Sequence, residues 1–353
     1  MKGKIKLVIW DLDNTLWKGV ISEEDDIVIS EEIQYVIQKL DERGILQSIA
    51  SKNDYKRAMH YLKIAGIEEY FLYPQINWNP KSENINYIIK KLNLGSDAVA
   101  FIDDQEFELS EVKFHIPEIT CIKNDNIPTL LQRKDMIPEY ITNDSYKRRI
   151  FYLNDQKRDE IEKRFTGTSE EFLCTLGMVL NLKKAYKEDL MRCAELTVRT
   201  HQLNSTGYTY TFDELANMLS DRRYILGVAE LNDIYGEYGK IGVMLIKKNN
   251  NKSWTLKLLL TSCRVISRGI GSAILKWLVN YTIKQHIELY AEFAPTNRNR
   301  IMEIMYSSLG FSMIDRCGDL EILRCNRKEP FEMPVYLEFK PEIIMEEKSY
   351  EDI

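Results

Sequence analysis

The feature that most constrains this chain is a change of polarity at Trp10. Leu7-Val8-Ile9-Trp10 is an unbroken apolar, β-prone run, and Asp11-Leu12-Asp13-Asn14-Thr15 follows it directly. A strand apolar on both faces belongs inside a parallel sheet covered by helices. Carboxylates at its C-terminal end fall where open α/β sheets bind ligands. Asp11 and Asp13 lie two apart, so an extended backbone aims both side chains the same way. Two carboxylates so held repel unless a proton or a cation intervenes. Mg²⁺ at a phosphoryl-transfer site meets that need. By itself, however, the stretch is equally a strand followed by an Asp/Asn turn.

The pattern recurs down the first third of the chain. Leu46 to Ala50 is a second apolar strand, ending in Ser51-Lys52-Asn53. Phe71 to Ile76 reads as a third, followed by a polar stretch in which Lys81 precedes a helix over 82–92. Ala98 to Ile102 is a fourth, ending in Asp103-Asp104. Helices fill the intervals. Ser30 is placed to cap one whose apolar positions are Ile33, Val36, Ile37 and Leu40, with Gly44 as its stop. Another spans 54–64, and an acidic one starts near Gln105. Ile119 to Ile122 is the candidate last strand. A repeated βα unit predicts a doubly wound parallel sheet whose strand ends converge on one crevice. There Mg²⁺ would offset the carboxylates, and Ser51 and Lys81 would hold a phosphate. The intervals from Thr15 to Ser30 and from Ser51 to Lys81 are too short for a cap domain, so the crevice is expected to be open.

These residues resemble the motifs of the haloacid dehalogenase (HAD) superfamily. Asp11 to Thr15 matches its DxDxT, Ser51 its strand-end hydroxyl, Lys81 its lysine ahead of a helix, and Asp103-Asp104 its acidic pair. The resemblance implies that Asp11 is the nucleophile, forming an aspartyl phosphate, and that Asp13 is general acid and then general base. It further implies that Mg²⁺ is bound by Asp11, the backbone carbonyl of Asp13, and Asp104, with Asp103 in support.

The chain has 353 residues, 44% hydrophobic and 29% charged, with a net charge of −6. This is the composition of a globular protein of about two domains. Acids and bases are interspersed, so neither nucleic acid nor a membrane surface is an expected partner. No apolar run approaches a membrane span. The N-terminus enters a strand too early for a signal peptide. The six cysteines are scattered without a CxxC pair, which fits reduced thiols and a cytoplasmic location. The expected division is a phosphatase domain over 1–125, a charged connector with a largely solvated helix over 126–168, a second domain over 169–330, and an acidic tail over 331–353.

The second half alternates candidate strands (178–182, 224–230, 240–247, 254–262, 287–293) with helices over 187–199, 274–286 and from Pro295 through Tyr306. Arg268-Gly269-Ile270-Gly271-Ser272-Ala273 lies between a strand and a helix. Glycines there let backbone N–H groups approach a pyrophosphate at a helix N-terminus. With the later Asn297, Tyr306 and Gly310-Phe311, this half resembles the GNAT acyltransferase fold, of α+β class. That likeness implies a site at Arg268, Gly269, Gly271, Ser272 and Ala273 for the phosphopantetheine arm of CoA or of a carrier protein. Cys263 stands at a strand end beside Arg264 and near a helix start, surroundings that favour thiolate. His201, in Arg199-Thr200-His201-Gln202, is a candidate base for it. Most lone cysteines are small core residues, and a polar run after a helix is most often a terminating loop.

Both halves in this order resemble the FkbH-like proteins, through WDLDNTLWKGVI, IASKN, FIDDQEFE, EEFLCTLGM, RTHQLNSTGYTYT and SCRVISRGIG. The family reads Arg-Thr-Asn-Gln where this chain has His201. The resemblance implies transfer of a glyceryl unit from 1,3-bisphosphoglycerate, through a thioester on Cys263, to the phosphopantetheine thiol of an acyl carrier protein. Phosphate would be removed at Asp11, in polyketide-type biosynthesis. The alternatives are a phosphatase joined to an acetyl-CoA-dependent N-acyltransferase, transfer of another phosphorylated three-carbon acid, and a carrier-binding scaffold without activity.

Overall fold

The structure, a computed structural model, describes residues 3–23 and 26–343. Glu24, Asp25 and the last ten residues of the expected tail lie outside them. The chain divides into two compact units, 1–156 and 157–353.

The first unit is built on β1 (Leu7–Trp10), every residue of which is buried. The helix α1 (Glu31–Glu42) starts where Ser30 accepts a hydrogen bond from the Ile33 N–H. Gly44 follows it at φ +65°, where a β-carbon would lie 2.6 Å from Arg148 Nη1. Then come β2 (Leu46–Ser51), α2 (Tyr55–Ile64), β3 (Gln75–Ile76), α3 (Lys81–Leu92), β4 (Val99–Asp103), α4 (Glu106–His115) and β5 (Thr120–Lys123). The sheet order is β3-β2-β1-β4-β5, all parallel, with Leu7 opposite both Leu46 and Val99. This is the doubly wound sheet the pattern predicts. Its order reverses beside β1, the place where such sheets form their crevice. One apolar layer packs α1 and α2 on the sheet and another packs α3 and α4. The expected third strand, 71–76, shrinks to Gln75–Ile76. Tyr73 sits at φ +50° and Pro74 has no N–H, so pairing cannot run through them.

The stretch expected to be a solvated connector is packed instead. Ile127, Leu130 and Met136 belong to the first unit's core. After the short α5 (Asn143–Tyr146), helix α6 (Arg148–Arg164) contains the division between the units. Its charges are not merely a wet face: Arg148 and Arg158 are buried.

The second unit contains α7 (Ser169–Thr175), β6 (Met178–Lys184), α8 (Leu190–Arg199), α9 (Phe212–Ser220), β7 (Tyr224–Asp233), β8 (Gly236–Asn250), β9 (Ser253–Thr261), α10 (Ile270–Lys284), β10 (Glu288–Phe293), α11 (Arg300–Ser308), β11 (Phe311–Cys317), β12 (Leu320–Cys325) and β13 (Leu337–Pro341). The sheet order is β11-β12-β10-β9-β8-β7-β6-β13. It is antiparallel except for β9–β10, which α10 joins, and β6–β13. The α+β class expected for this half therefore holds. The sheet's last strand comes from beyond residue 330, inside the stretch expected to be tail.

Arg158 ties α6 into this unit. Its guanidinium is fully buried and grips Asp233 with two 2.7 Å bonds, and it lies 3.8 Å from the Tyr238 ring centroid. Asp233 also accepts from the Tyr238 hydroxyl and the Tyr235 N–H. Removing one partner of a buried pair leaves the other charge uncompensated. Arg158→Met is therefore expected to lower the unfolding free energy of this unit by about 3–5 kcal/mol in denaturant titrations. A loss under about 1 kcal/mol would show that the pair does not anchor α6.

Candidate active site

The polar strand ends of the first unit meet at the C-terminal edge of its sheet. Lys81, the first residue of α3, donates to Asp11 Oδ1 at 2.7 Å and to Asp103 Oδ2 at 2.6 Å. The Asp11, Lys81 and Asp103 side chains are 5%, 3% and 0% exposed. Asp103 Oδ1 accepts the Gln105 N–H at 2.9 Å, so both of its oxygens are engaged. Asp104 is more exposed and lies 3.5 Å from the Thr15 hydroxyl. Carboxylate oxygens of Asp11, Asp103 and Asp104 all lie within 4.8 Å of one another. Three oxygen donors at that separation, carrying more negative charge than Lys81 balances, suit a hard divalent cation such as Mg²⁺. With Asp103 already held on both oxygens, Asp11 and Asp104 are the ligands with coordination to spare.

The electrostatics follow from burial. Burial pushes the Asp11 carboxyl up to about 6, with Asp103 adding to the rise and Lys81 and Ser51 opposing it. Burial likewise raises Asp103 and Asp104, the latter also through Asp11. Burial works against the Lys81 ammonium, but Asp11 and Asp103 outweigh it and hold its pKa above the ordinary lysine value.

Asp13 is held apart from this cluster. Its Oδ1 accepts Trp17 Nε1–H and its Oδ2 accepts Asn53 Nδ2–H, both at 2.9 Å. It is thus a positioned carboxyl beside the cluster rather than a side-chain member of the acidic triad. Ser51 closes β2 and is buried. The cap of α2 is Asp54, whose side chain accepts the Arg57 N–H; that leaves Ser51 and Asn53 for the crevice. Asn53 and Trp17 are the positioning residues that sequence reasoning missed. Lys52 and Glu108, from either side of β1, form a 2.7 Å pair that it also missed.

In the second unit, β9 and β10 pair only as far as Leu256 and Ala291. Beyond that point the segment after α8 takes the place beside β9. Ser205 N–H donates to the Leu259 carbonyl and Thr261 N–H to the Leu203 carbonyl, with Asn204 opposite Leu260. His201 stands two residues before Leu203 and Cys263 two residues after Thr261, the last pair of this antiparallel register. The structure thus brings segments 203–205 and 259–261 side by side. His201 is exposed and Cys263 half-buried. Cys263 opens a short 3-10 helix, Cys263–Arg268, which separates it from α10. Arg264 donates to the Tyr238 carbonyl at 2.6 Å. The helix after the glycine-rich turn starts at Ile270, so Gly271, Ser272 and Ala273 lie in its first turn. Arg268 is buried and faces Glu162 at 3.5 Å and the Phe172 ring.

The sequence model of the haloacid dehalogenase-like hydrolase family matches residues 16–112. This span holds Ser51, Lys81, Asp103 and Asp104 and begins just after the DxDxT run. The first unit therefore carries a haloacid dehalogenase-like hydrolase domain. No curated protein matches the chain. Among solved structures, the chain is similar to the N-terminal part of BF1531 from Bacteroides fragilis, which contains a phosphatase domain complexed with Mg. The identity is 29%, over 37% of this chain and 39% of that one, with a TM-score of 0.34. The chain thus spans well under half of that protein. It is also similar to the ribosomal-protein-S18-alanine N-acetyltransferase of Escherichia coli, at 16% identity over 41% of this chain and 90% of that one, TM-score 0.32. A third is the PaiA N-acetyltransferase of Thermoplasma acidophilum in complex with coenzyme A, at 17% identity over 41% and 97%, TM-score 0.32. TM-scores this low decide nothing about activity. Among the described residues, no helix is long and apolar enough to cross a membrane.

The raised Asp11 carboxyl predicts how metal binding responds to pH. A proton must leave Asp11 before a cation takes its oxygen. Because the carboxyl titrates near 6 rather than in the ordinary range, Mg²⁺ affinity is lost as pH falls through about 6. Calorimetric titration with Mg²⁺ is expected to show affinity falling about tenfold per pH unit below that point. An affinity constant between pH 5 and 7 would contradict the assignment.

Proposed function

We propose that this chain is a two-site enzyme that moves a glyceryl unit from 1,3-bisphosphoglycerate to a carrier-protein thiol and removes phosphate at Asp11. The observation that carries the reading is the cluster of Asp11, Asp103 and Asp104 around one buried ammonium, at the edge where a doubly wound sheet binds ligands. The glyceryl chemistry is supported by the resemblance of both halves to the FkbH-like proteins.

In the first unit, an Asp11 oxygen attacks phosphorus while the bond to the substrate oxygen breaks and Asp13 protonates the departing alkoxide. Water then attacks the aspartyl phosphate, giving its proton to Asp13, and the O–P bond to Asp11 breaks with release of phosphate. Bound Mg²⁺ supplies charge neutralisation for the phosphoryl oxygens. Lys81 fixes Asp11 and offsets its repulsion with Asp103. Trp17 and Asn53 keep Asp13 in place. No cap domain interrupts the described residues of this unit, so a substrate on a long arm can reach the crevice.

In the second unit, Cys263 thiolate attacks the acyl carbon of the acyl phosphate. The carbon–oxygen bond to phosphate breaks and an acyl thioester forms. A carrier thiol then attacks that thioester and frees Cys263, an exchange between bonds of similar energy. His201, two residues before the stretch that pairs with β9, is the candidate base.

Intact-mass measurement after incubation with Mg²⁺ and enzymatically generated 1,3-bisphosphoglycerate tests this directly. Wild type is expected to carry a glyceryl or phosphoglyceryl adduct that Cys263→Ala lacks, and the phosphate content of the adduct orders the two steps. An unmodified wild type that instead consumes acetyl-CoA would favour a phosphatase joined to an N-acyltransferase, with Cys263 as packing.

A further inference from the structure

Beside the acidic cluster of the first unit lies an ion pair that the mechanism above does not use. Lys52 follows Ser51, the last residue of β2, and precedes Asn53. Ser51 opposes the rise of the Asp11 carboxyl through a hydrogen bond, and Asn53 donates to Asp13 Oδ2 at 2.9 Å. Lys52 thus stands in the chain between two residues that touch the crevice. Its ammonium donates to Glu108 Oε1 at 2.7 Å. Glu108 lies in the first turn of α4, shortly after Asp104. The pair therefore joins the segments that follow β2 and β4, the two neighbours of β1.

Stability does not explain this pair. The Lys52 side chain is 36% exposed and that of Glu108 7%. An ion pair open to water on one side contributes little to folding. The second Glu108 oxygen, Oε2, is buried without a hydrogen-bond partner, which costs free energy. A carboxylate kept at that cost fixes one ammonium in place. Among the described residues Lys52 has no second partner, so two of its three N–H donors are free. It bonds none of Asp11, Asp103 and Asp104. Those three carboxylates are balanced by Lys81 and a divalent cation together, which leaves no cation in the cluster for a second anionic group.

We infer that Lys52, positioned by Glu108, binds a second anionic group of the phosphorylated substrate, apart from the phosphoryl group that Asp11 takes. This rests on the phosphatase reading of Asp11 given above and adds a substrate class: a small phosphate ester with an anionic acyl end. Lysine suits that task as a compact point charge with several donors. A phosphorylated alcohol without the second charge gains nothing from Lys52.

Calorimetric titration of the Mg²⁺-loaded full chain tests this with two probes that cannot turn over. One is the phosphonate analogue of 3-phosphoglycerate, with CH₂ in place of the ester oxygen. The other is its carboxylic methyl ester, which lacks only the second charge. Wild type is expected to bind the acid at least about tenfold more tightly than the ester. Lys52→Met is expected to bring that ratio below about threefold. Glu108→Gln, which leaves Lys52 without its anchor, is expected to lower it by a smaller factor. If Lys52→Met does not fold, Lys52→Gln keeps a donor for Glu108 and is read the same way. A pair that merely ties β2 to α4 would change the melting temperature of the variants and leave the ratio as it was. That result, or equal binding of acid and ester by wild type, would overturn the inference. Wild type that binds neither probe would contradict the phosphatase reading and the inference with it, an outcome distinct from equal binding of both.

Discussion

The chemistry of the first unit depends on one ammonium shared by two carboxylates. Lys81 bonds Asp11 and Asp103 in surroundings almost closed to water. Without it, two buried like charges would sit in contact, and one would take up a proton. Even with it, all three acidic groups titrate above their ordinary range. Three carboxylates and one ammonium leave two negative charges in excess when all are ionised, and a divalent cation balances that excess. The sheet explains why these groups meet. With β1 between β2 and β4, the residues ending those strands can only converge. Lys81 reaches the same point because α3 begins there.

The second unit solves a different problem. Strands β9 and β10 part where the segment 203–205 enters beside β9. Its glycine-rich turn uses the freedom of Gly269 to turn into α10 under Tyr336. Tyr336, which covers that turn on its β-carbon side, comes from far away in sequence.

That distance marks the limit of what was legible in the sequence. The parallel sheet, its strand ends and the caps at Ser30 and Gly44 follow from local pattern, and they suffice to bring Asp11, Lys81, Asp103 and Asp104 together. The grip of Asn53 on Asp13 had a local signal. Asp54 is the better cap for α2, which releases Asn53 for other work. The helices α7 and α9, absent from the sequence expectations, had a local signal too, in the Thr168…Glu171 and Thr211…Glu214 capping boxes. By contrast, β11 is exposed along nearly its whole length and shows no alternation to read. Arg158 looked like one charge among many in a polar helix. Only tertiary packing gives it Asp233 and Tyr238. Tyr336, in what read as an acidic tail, meets Gly269 through contacts that no local pattern encodes.

The central claim is that Asp11 is a nucleophile and not merely a metal ligand. Acid quenching during turnover of a ³²P-labelled phosphate ester, followed by peptide mapping, tests it most directly. The account predicts a phosphorylated, hydroxylamine-labile peptide containing Asp11. Turnover with no protein-bound phosphate at any quench time, or label on a different residue, would contradict it.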